Sequence, residues 1–389
     1  MASRDVQSSK GKVIFLSFLA AITWFIGLPA KSEAQGLATR YPRDIGIESD
    51  PAVVFTENFE EAALGDVVAR WDDTTNVQGM SLVPDTPPPS SGRQSLQMNS
   101  VIGQNTGGHL YKSFPAGYET LYARFYVKLA SDCHPVHHFV HMGGYNPPTR
   151  WPQGGAGVRP DGTERFTTGI EPMGSDWRWD FYTYWMHMRG NPGGPEFWGN
   201  SFNPTPIVPV QKGEWICVEF MMTCNNPLTA YNGEQAFWIN GAQAIHLGEG
   251  FPNGYWVWDT FHPDPGSPPF EGFQWRIADA LKVNFFWLLF YMTDGNPGQA
   301  DTVFFDDIVL ATEYIGPIFT PSATIRLLAC RCGSDVCLFW NDAGQASYSA
   351  VRGEDPQFLN RLTIFQGSAF ETSDTGAIRM PSDFFYRIE

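Results

Sequence analysis

Apolar and polar residues alternate with a period of two along much of this chain, in runs separated by Gly- and Pro-rich breaks. That period marks half-buried strands, because successive strand side chains point to opposite faces. LYARFYVKLA (121–130) is the clearest run: Leu121, Ala123, Phe125 and Val127 fall on one face, Tyr122, Arg124, Tyr126 and Lys128 on the other. The first set is expected in the core and the second open to solvent or ligand. PAVVFTENFE (51–60) and SLQMNSV (95–101) read as further strands, with a Pro-rich loop at 86–92 between them. GEWICVEFMMTC, from Gly213, reads as another, and AFWINGAQAIHL (236–247) as a hairpin turning at Asn240-Gly241, a dipeptide suited to the positive φ angles of a tight turn. VNFFWLLFYM (283–292) is nearly all apolar, which predicts a central strand, and TVFFDDIVLA (302–311) closes the series. Residues 145–167, rich in Gly, Pro and Arg, read as a long surface loop able to wall a groove.

Two runs carry most of the chemistry. In VHHFVHMGG (136–144), strand alternation puts His137, Phe139 and His141 on one face and Val136, His138, Val140 and Met142 on the other. In WRWDFYTYWMHMRG (177–190), Asp180, Tyr182 and Tyr184 point one way and Trp179, Phe181, Thr183, Trp185 and His187 the other. A sheet face with paired His and Tyr among aromatics suits sugar binding or proton transfer. His137 and His141 cannot both ligate one metal ion on a straight strand, where their spacing spans about 13 Å.

The start of the chain reads as a leader. After Arg4, Lys10 and Lys12 comes VIFLSFLAAITWFIGL, then a polar stretch ending Ser32-Glu33-Ala34. This is the layout of a cleaved signal peptide over 1–34, with an uncleaved N-terminal anchor as the alternative. The run is short and interrupted against the roughly 20 apolar residues of a membrane span. Loss of 1–34 removes four basic residues (Arg4, Lys10, Lys12, Lys31) and two acidic ones (Asp5, Glu33), taking the net charge from -16 to -18. So acidic a chain is a poor partner for nucleic acid or an anionic membrane surface. The expected location is secreted or extracytoplasmic.

Of the six Cys, Cys217 and Cys224 lie along one strand, about 23 Å apart at roughly 3.3 Å per residue. A disulfide spans at most about 7 Å between Cα atoms, so these two cannot pair. Cys332 and Cys337 flank an expected turn at Gly333-Ser334-Asp335 and can pair across it, Cys133 has no obvious partner, and the CxCx4C spacing of Cys330, Cys332 and Cys337 lacks a nearby fourth zinc ligand.

The opening VVFTENFE, the central GEWICVEF with AFWINGAQAIHL, and the closing VFFDDIVLATEYIGP resemble the concanavalin A-like jelly rolls over 51–317. The resemblance implies an all-β fold of two antiparallel sheets, one forming a groove, and the expected organisation is a signal peptide (1–34), a linker (35–50), the jelly-roll β-sandwich (51–317) and a small module (318–389). That last stretch, with DVCLFWNDAGQASYSAVRGEDP, FETSDTGAI and DFFYRIE, is similar to a fibronectin type III β-sandwich, expected to be either incomplete at its final edge strand or docked on the jelly roll. Such modules serve as spacers or adhesion units.

The same sandwich serves lectins, hydrolases and lyases, so function has to come from the site. The ExDxxE strand of laminarinase-type hydrolases, which supplies paired carboxylates, is absent here. β-Elimination on a uronate needs a group that neutralises the carboxylate, a base for the adjacent proton and an acid for the leaving oxygen. The succession of a basic strand, a His strand and a YTY strand looks like the alginate and glucuronan lyases, nearest to polysaccharide lyase family 14. That likeness implies Tyr182 or Tyr184 as acid and as candidate base, His137 or His141 as the alternative base, and Arg124 as carboxylate clamp. Tyr122, Tyr126, Lys128, Phe139, Arg150 and Asp180 are the accompanying candidates for contact with the glycan. The chain departs from the family in carrying the His run where a lysine is expected and, before the tyrosines, only Arg165; the RxEL and QIH signatures of family 7 are also missing. Each of these residues also has a structural reading: packed histidines, cross-strand tyrosine pairs, an arginine in a surface ion pair.

Glu57 and Glu60 in the first strand and Asp306 and Asp307 in the last are placed to hold a structural Ca²⁺, since oxygen ligands suit a hard cation and these strands are neighbours in such jelly rolls. No other cofactor is called for. The expected partner is a polysaccharide, bound in the groove and cleaved by a lyase or held by a non-catalytic lectin-like protein; a structural surface protein is the third reading.

Overall fold

The computed structural model describes residues 36–190, 193–320, 327–332, 334–340, 348–353, 361–367, 369, 371–375 and 385–388. The signal-peptide expectation for 1–34 lies outside them. Seventeen strands build a sandwich of two sheets. They are β1 (Val53–Glu57), β2 (Asp73–Thr75), β3 (Met80–Val83), β4 (Ser95–Val101), β5 (Gly107–Tyr118), β6 (Thr120–Leu129), β7 (Val140–Tyr145), β8 (Arg165–Met173), β9 (Arg178–Tyr184), β10 (Asn200–Phe202), β11 (Ile216–Thr223), β12 (Glu234–Ile239), β13 (Ala242–Leu247), β14 (Gly254–Val257), β15 (Thr260–Pro263), β16 (Val283–Tyr291) and β17 (Ala300–Ala311). The back sheet runs β13-β12-β11-β6-β17-β4-β3, with β1 also on β17; the front sheet runs β14-β15-β10-β9-β8-β7-β16-β5-β2.

The expected alternation decides which side chains meet between the sheets. Leu121, Phe125, Phe220, Phe237 and Phe305 of the back sheet close over Met142, Phe166, Phe181, Phe286 and Leu288 of the front sheet, all fully buried. Each such side chain contributes about 1.5–3 kcal/mol by leaving water. The β12–β13 hairpin turns at Asn240 and Gly241, at φ 51° and 81°, and β16 is central, paired to β5 on one side and β7 on the other.

The outer face of the back sheet is covered rather than open. Residues 36–50, expected to be a linker, instead form short 3₁₀ turns whose Leu37 and Ile47 are buried with Val309, Ala311 and Ile315. Arg124 is wholly buried there, ion-paired to Asp44 and donating to the carbonyls of Gly316 and Asp307 at 3.2 and 3.1 Å. Tyr126 accepts the Ile318 N–H at 3.0 Å, Tyr122 packs on Trp238 and Tyr314, and Lys128 pairs with Asp85. The alternation along 121–130 was read in the right phase, but its polar face belongs to the sheet remote from the groove. Arg124, Tyr122, Tyr126 and Lys128 are therefore fastenings of the fold, and the structure places none of them at the front-sheet cleft expected for a clamp or glycan contact.

Beyond the sandwich, β18 (Leu327–Cys332), β19 (Asp335–Trp340) and β22 (Glu371–Asp374) form one small sheet. A second comprises β20 (Tyr348–Gly353), β21 (Arg361–Gly367) and β23 (Phe385–Ile388). Cys332 and Cys337 are disulfide-bonded across the β18–β19 turn, while Cys133, Cys217 and Cys224 are buried thiols.

Candidate functional site

The front sheet turns one face away from the core, and the polar residues of β7, β8, β9 and β16 gather on it. Antiparallel register sets His141 opposite Gly169 and Trp287, Gly169 opposite Tyr182, Thr167 opposite Tyr184, and Glu171 opposite Asp180. A cleft of about 180 Å³ opens over this floor, lined by His138, His141, Tyr145, Arg165, Thr167, Tyr182, Tyr184 and Trp287. Its wall is Gln153, Gly154, Gly155 and Ala156, from the loop expected to flank a groove. A second cavity of about 270 Å³, lined by His109, Leu289 and Tyr291 among others, shares His138 and Trp287 with the first.

Two tyrosines form the centre. The Tyr182 and Tyr184 hydroxyls lie 3.4 Å apart, with ring centroids at 5.6 Å. Burial and the hydrogen bond to Tyr184 hold the Tyr182 hydroxyl well above the ordinary tyrosine range, so it keeps its proton at neutral pH. Gly199 makes room for this ring: a Cβ there would stand 2.6 Å from it. The Arg165 guanidinium lies over the Tyr184 ring at 5.3 Å and is held by the carbonyls of Gly155, at 2.8 Å, and Val158.

Three further side chains converge beside them. Glu171 Oε1 lies 2.9 Å from His138 Nδ1 and 3.4 Å from His141 Nε2. A carboxylate only accepts, so each ring nitrogen that bonds it carries the proton. Burial, and then the neighbouring His138, push the His141 imidazole down to about 3, which keeps it neutral. Its ring meets Trp287 edge-on at 5.6 Å, and His138 lies 5.0 Å from Tyr182 and parallel to Tyr291 at 6.1 Å. Gly169 is required beneath His141, because a Cβ at that position would come within 2.4 Å of Nε2. Asp180 is buried next to Glu171, and burial together with the Glu171 charge raises its carboxyl well above the ordinary range.

Tyr182, Tyr184 and His141 thus lie together on this floor, while Asp180, on the same face of β9, is buried beside Glu171 and is not among the cleft-lining residues. His137 and Phe139 do not lie on the floor, because regular strand structure begins only at Val140. Before it the chain turns Phe139 into the core, stacked on Phe305 at 5.5 Å, while His137 is exposed and bonded to Thr293. His138 takes the place foreseen for His137. It is fixed by backbone bonds to Tyr291 (N to O 3.2 Å, O to N 3.0 Å), a partner 153 positions distant that no local pattern reveals. Arg150 is an exposed loop residue paired to Asp72 at 2.8 Å and is not among the cleft-lining residues. Glu171, Arg165, Tyr145 and Trp287 were not among the sequence candidates; the alternation of RFTTGIEPM, which places Arg165, Thr167, Gly169 and Glu171 on one face, was the available signal for two of them.

On β17 the ladder to β6 is interrupted by a bulge between Asp306 and Val309, with Asp307 at φ 46°. Asp306 Oδ2 and Asp307 Oδ2 are buried without a hydrogen-bond partner, which fits a pair of cation ligands. Glu57 and Glu60 are more fully engaged. Glu57 accepts from Phe59 N–H, Arg70 and Trp71, and Glu60 from the N–H groups of Arg93 and Gln94.

No family model and no curated protein matches this chain. Among solved structures it is similar to a mutant of alginate lyase Aly36B in complex with alginate tetrasaccharide, at 12% identity over 69% of this chain and 99% of that one, with a TM-score of 0.45. It is likewise similar to alginate lyase vAL-1 from Chlorella virus (13%, 67% and 99%, TM-score 0.45) and to the cellulose-induced protein Cip1 (16%, 68% and 100%, TM-score 0.38).

Proposed function

We propose that this protein binds an acidic polysaccharide along the front-sheet groove and cleaves it by β-elimination. The observation that carries the proposal is the Tyr182–Tyr184 hydroxyl pair, 3.4 Å apart on the floor of a cleft that also presents His138, His141 and Arg165. In such a reaction the C–H bond beside the uronate carboxylate breaks, its electron pair forms the new C=C bond, and the C–O bond to the leaving sugar breaks. Tyr182, which keeps its proton, is suited to protonate the leaving oxygen, and Tyr184, in its phenolate form, to take the proton from carbon; transfer of that proton across the 3.4 Å contact then restores both hydroxyls to their starting state. His138, His141 and Arg165 supply the polar and cationic surroundings for the carboxylate. Incubating the protein with a panel of uronate polymers and following the ultraviolet absorbance of the unsaturated product tests this directly; no product from any of them overturns it.

A lectin-like reading is favoured by Arg165, whose guanidinium is already held by two backbone carbonyls. It predicts retention on a glycan array with no product formed. Secretion, with residues 1–34 as signal peptide, belongs to the same proposal, as does a fibronectin type III-like spacer role for the two small C-terminal sheets. The unpartnered oxygens of Asp306 and Asp307 support a structural Ca²⁺ on the back sheet.

A further inference from the structure

We propose that His138, His141 and Glu171 form a binding site for a divalent first-row transition ion, with zinc as its natural probe. One ring nitrogen each of His138 and His141 and a Glu171 oxygen all lie within 4.8 Å of one another, and among the described residues they are the one group of three or more such ligands to do so. Two of the separations are 2.9 and 3.4 Å. That is the spacing of adjacent ligands around an ion that bonds N and O at about 2.0–2.2 Å; without the ion these separations are hydrogen bonds to Glu171, and on binding each ring proton moves to the imidazole's other nitrogen so that the lone pair faces the ion. Two imidazoles and one carboxylate are the donor set of borderline ions such as zinc, and differ from the all-oxygen set that suits calcium or magnesium.

The three ligands are held by separate parts of the sheet. His138 is tied through its backbone to Tyr291, His141 lies in β7 over the space left by Gly169, and Glu171 lies in β8. Beside Glu171, Asp180 is 1% exposed and keeps its Oδ2 without a hydrogen-bond partner, a further acceptor for a ligand or its water. His138 and His141 also line the cleft, with the Tyr182 ring 5.0 Å from His138. A bound cation there supplies a positive charge for the carboxylate of the sugar. That role rests on the uronate reading; the metal site itself does not.

The test is a zinc titration by calorimetry on chelator-stripped, intact protein, with the visible absorbance of the cobalt-loaded form as a second readout. The expected result is one ion per chain, with affinity at least tenfold weaker in both His138→Gln and Glu171→Gln, each checked by circular dichroism and melting to be folded. Absence of saturable binding overturns the proposal, and so does an affinity unchanged in both variants or lost only in Asp306→Asn. Oligouronate affinity is then measured with and without zinc. If zinc binds at this site and no oligouronate does, the uronate reading fails and the metal site stands.

Discussion

Tyr182 and Tyr184 point their hydroxyls at each other, 3.4 Å apart, from alternate positions of one strand. If they share the proton transfer, Tyr182→Phe and Tyr184→Phe each lower kcat on a cleavable uronate polymer by at least about 10²-fold while leaving oligosaccharide affinity within about threefold. Kinetics together with binding calorimetry check this, and near-normal turnover in either variant removes that hydroxyl from the mechanism.

Gly169 lies beneath His141 so closely that a methyl group there would meet Nε2 at 2.4 Å. Gly169→Ala is expected to displace the imidazole and abolish glycan binding or turnover, at a stability cost of about 1–3 kcal/mol from overpacking. A crystal structure or histidine NMR of the variant would show the shift, and an undisturbed ring would contradict the account.

Arg124 is buried on the back sheet with Asp44 as its ion-pair partner. Arg124→Met leaves that carboxylate without its cation and should destabilise the protein by about 3–5 kcal/mol. Activity per folded molecule should not change. Denaturant unfolding and specific activity separate the two effects, and a folded but inactive variant would restore Arg124 to the site.

Burial raises both Asp306 and Asp307 above the ordinary carboxylate range, with the charge of Asp307 adding to the rise at Asp306. Above about pH 4 the unfolded chain has released protons that the folded chain still holds, so this pair's contribution to stability is greatest in acid and is lost as pH rises. The melting temperature of calcium-free protein should therefore be higher near pH 5 than near pH 8, and the difference should shrink in Asp306→Asn. Millimolar calcium should recover the loss at the higher pH, and Asp306→Asn should raise the calcium-free value there and erase the calcium effect. A melting temperature indifferent to calcium in the parent protein would dismiss the cation.

Much of the architecture was legible because strand periodicity is local. The runs at 95–101, 121–130, 236–247 and 283–292 needed only the alternation, the apolar content and the Asn240-Gly241 turn to be placed as strands, a hairpin and a central strand. The site was legible where the same rule applied without interruption, as in β9, which put Asp180, Tyr182 and Tyr184 on one face. It failed at 137–139, where the chain is not yet in regular strand and the parity of side chains is set by packing: Phe139 fills the core, and His138, held by Tyr291, enters the cleft. One residue of lost phase exchanged His137 for His138.

By itself the sequence determined the strands named above, the apolar faces they bring to the sandwich, the Cys332–Cys337 pairing and the tyrosine pair, all of which depend on neighbours a few positions apart; β5 and β8 were not among them. Only the tertiary structure decided which sheet each polar face belongs to. Arg124 and Tyr182 both stand on the polar side of an alternating strand, yet one is sealed under residues 36–50 and 314–318 and the other floors a cleft. Alternation specifies two faces and says nothing of what covers them, and the cover comes from chain segments far away in sequence.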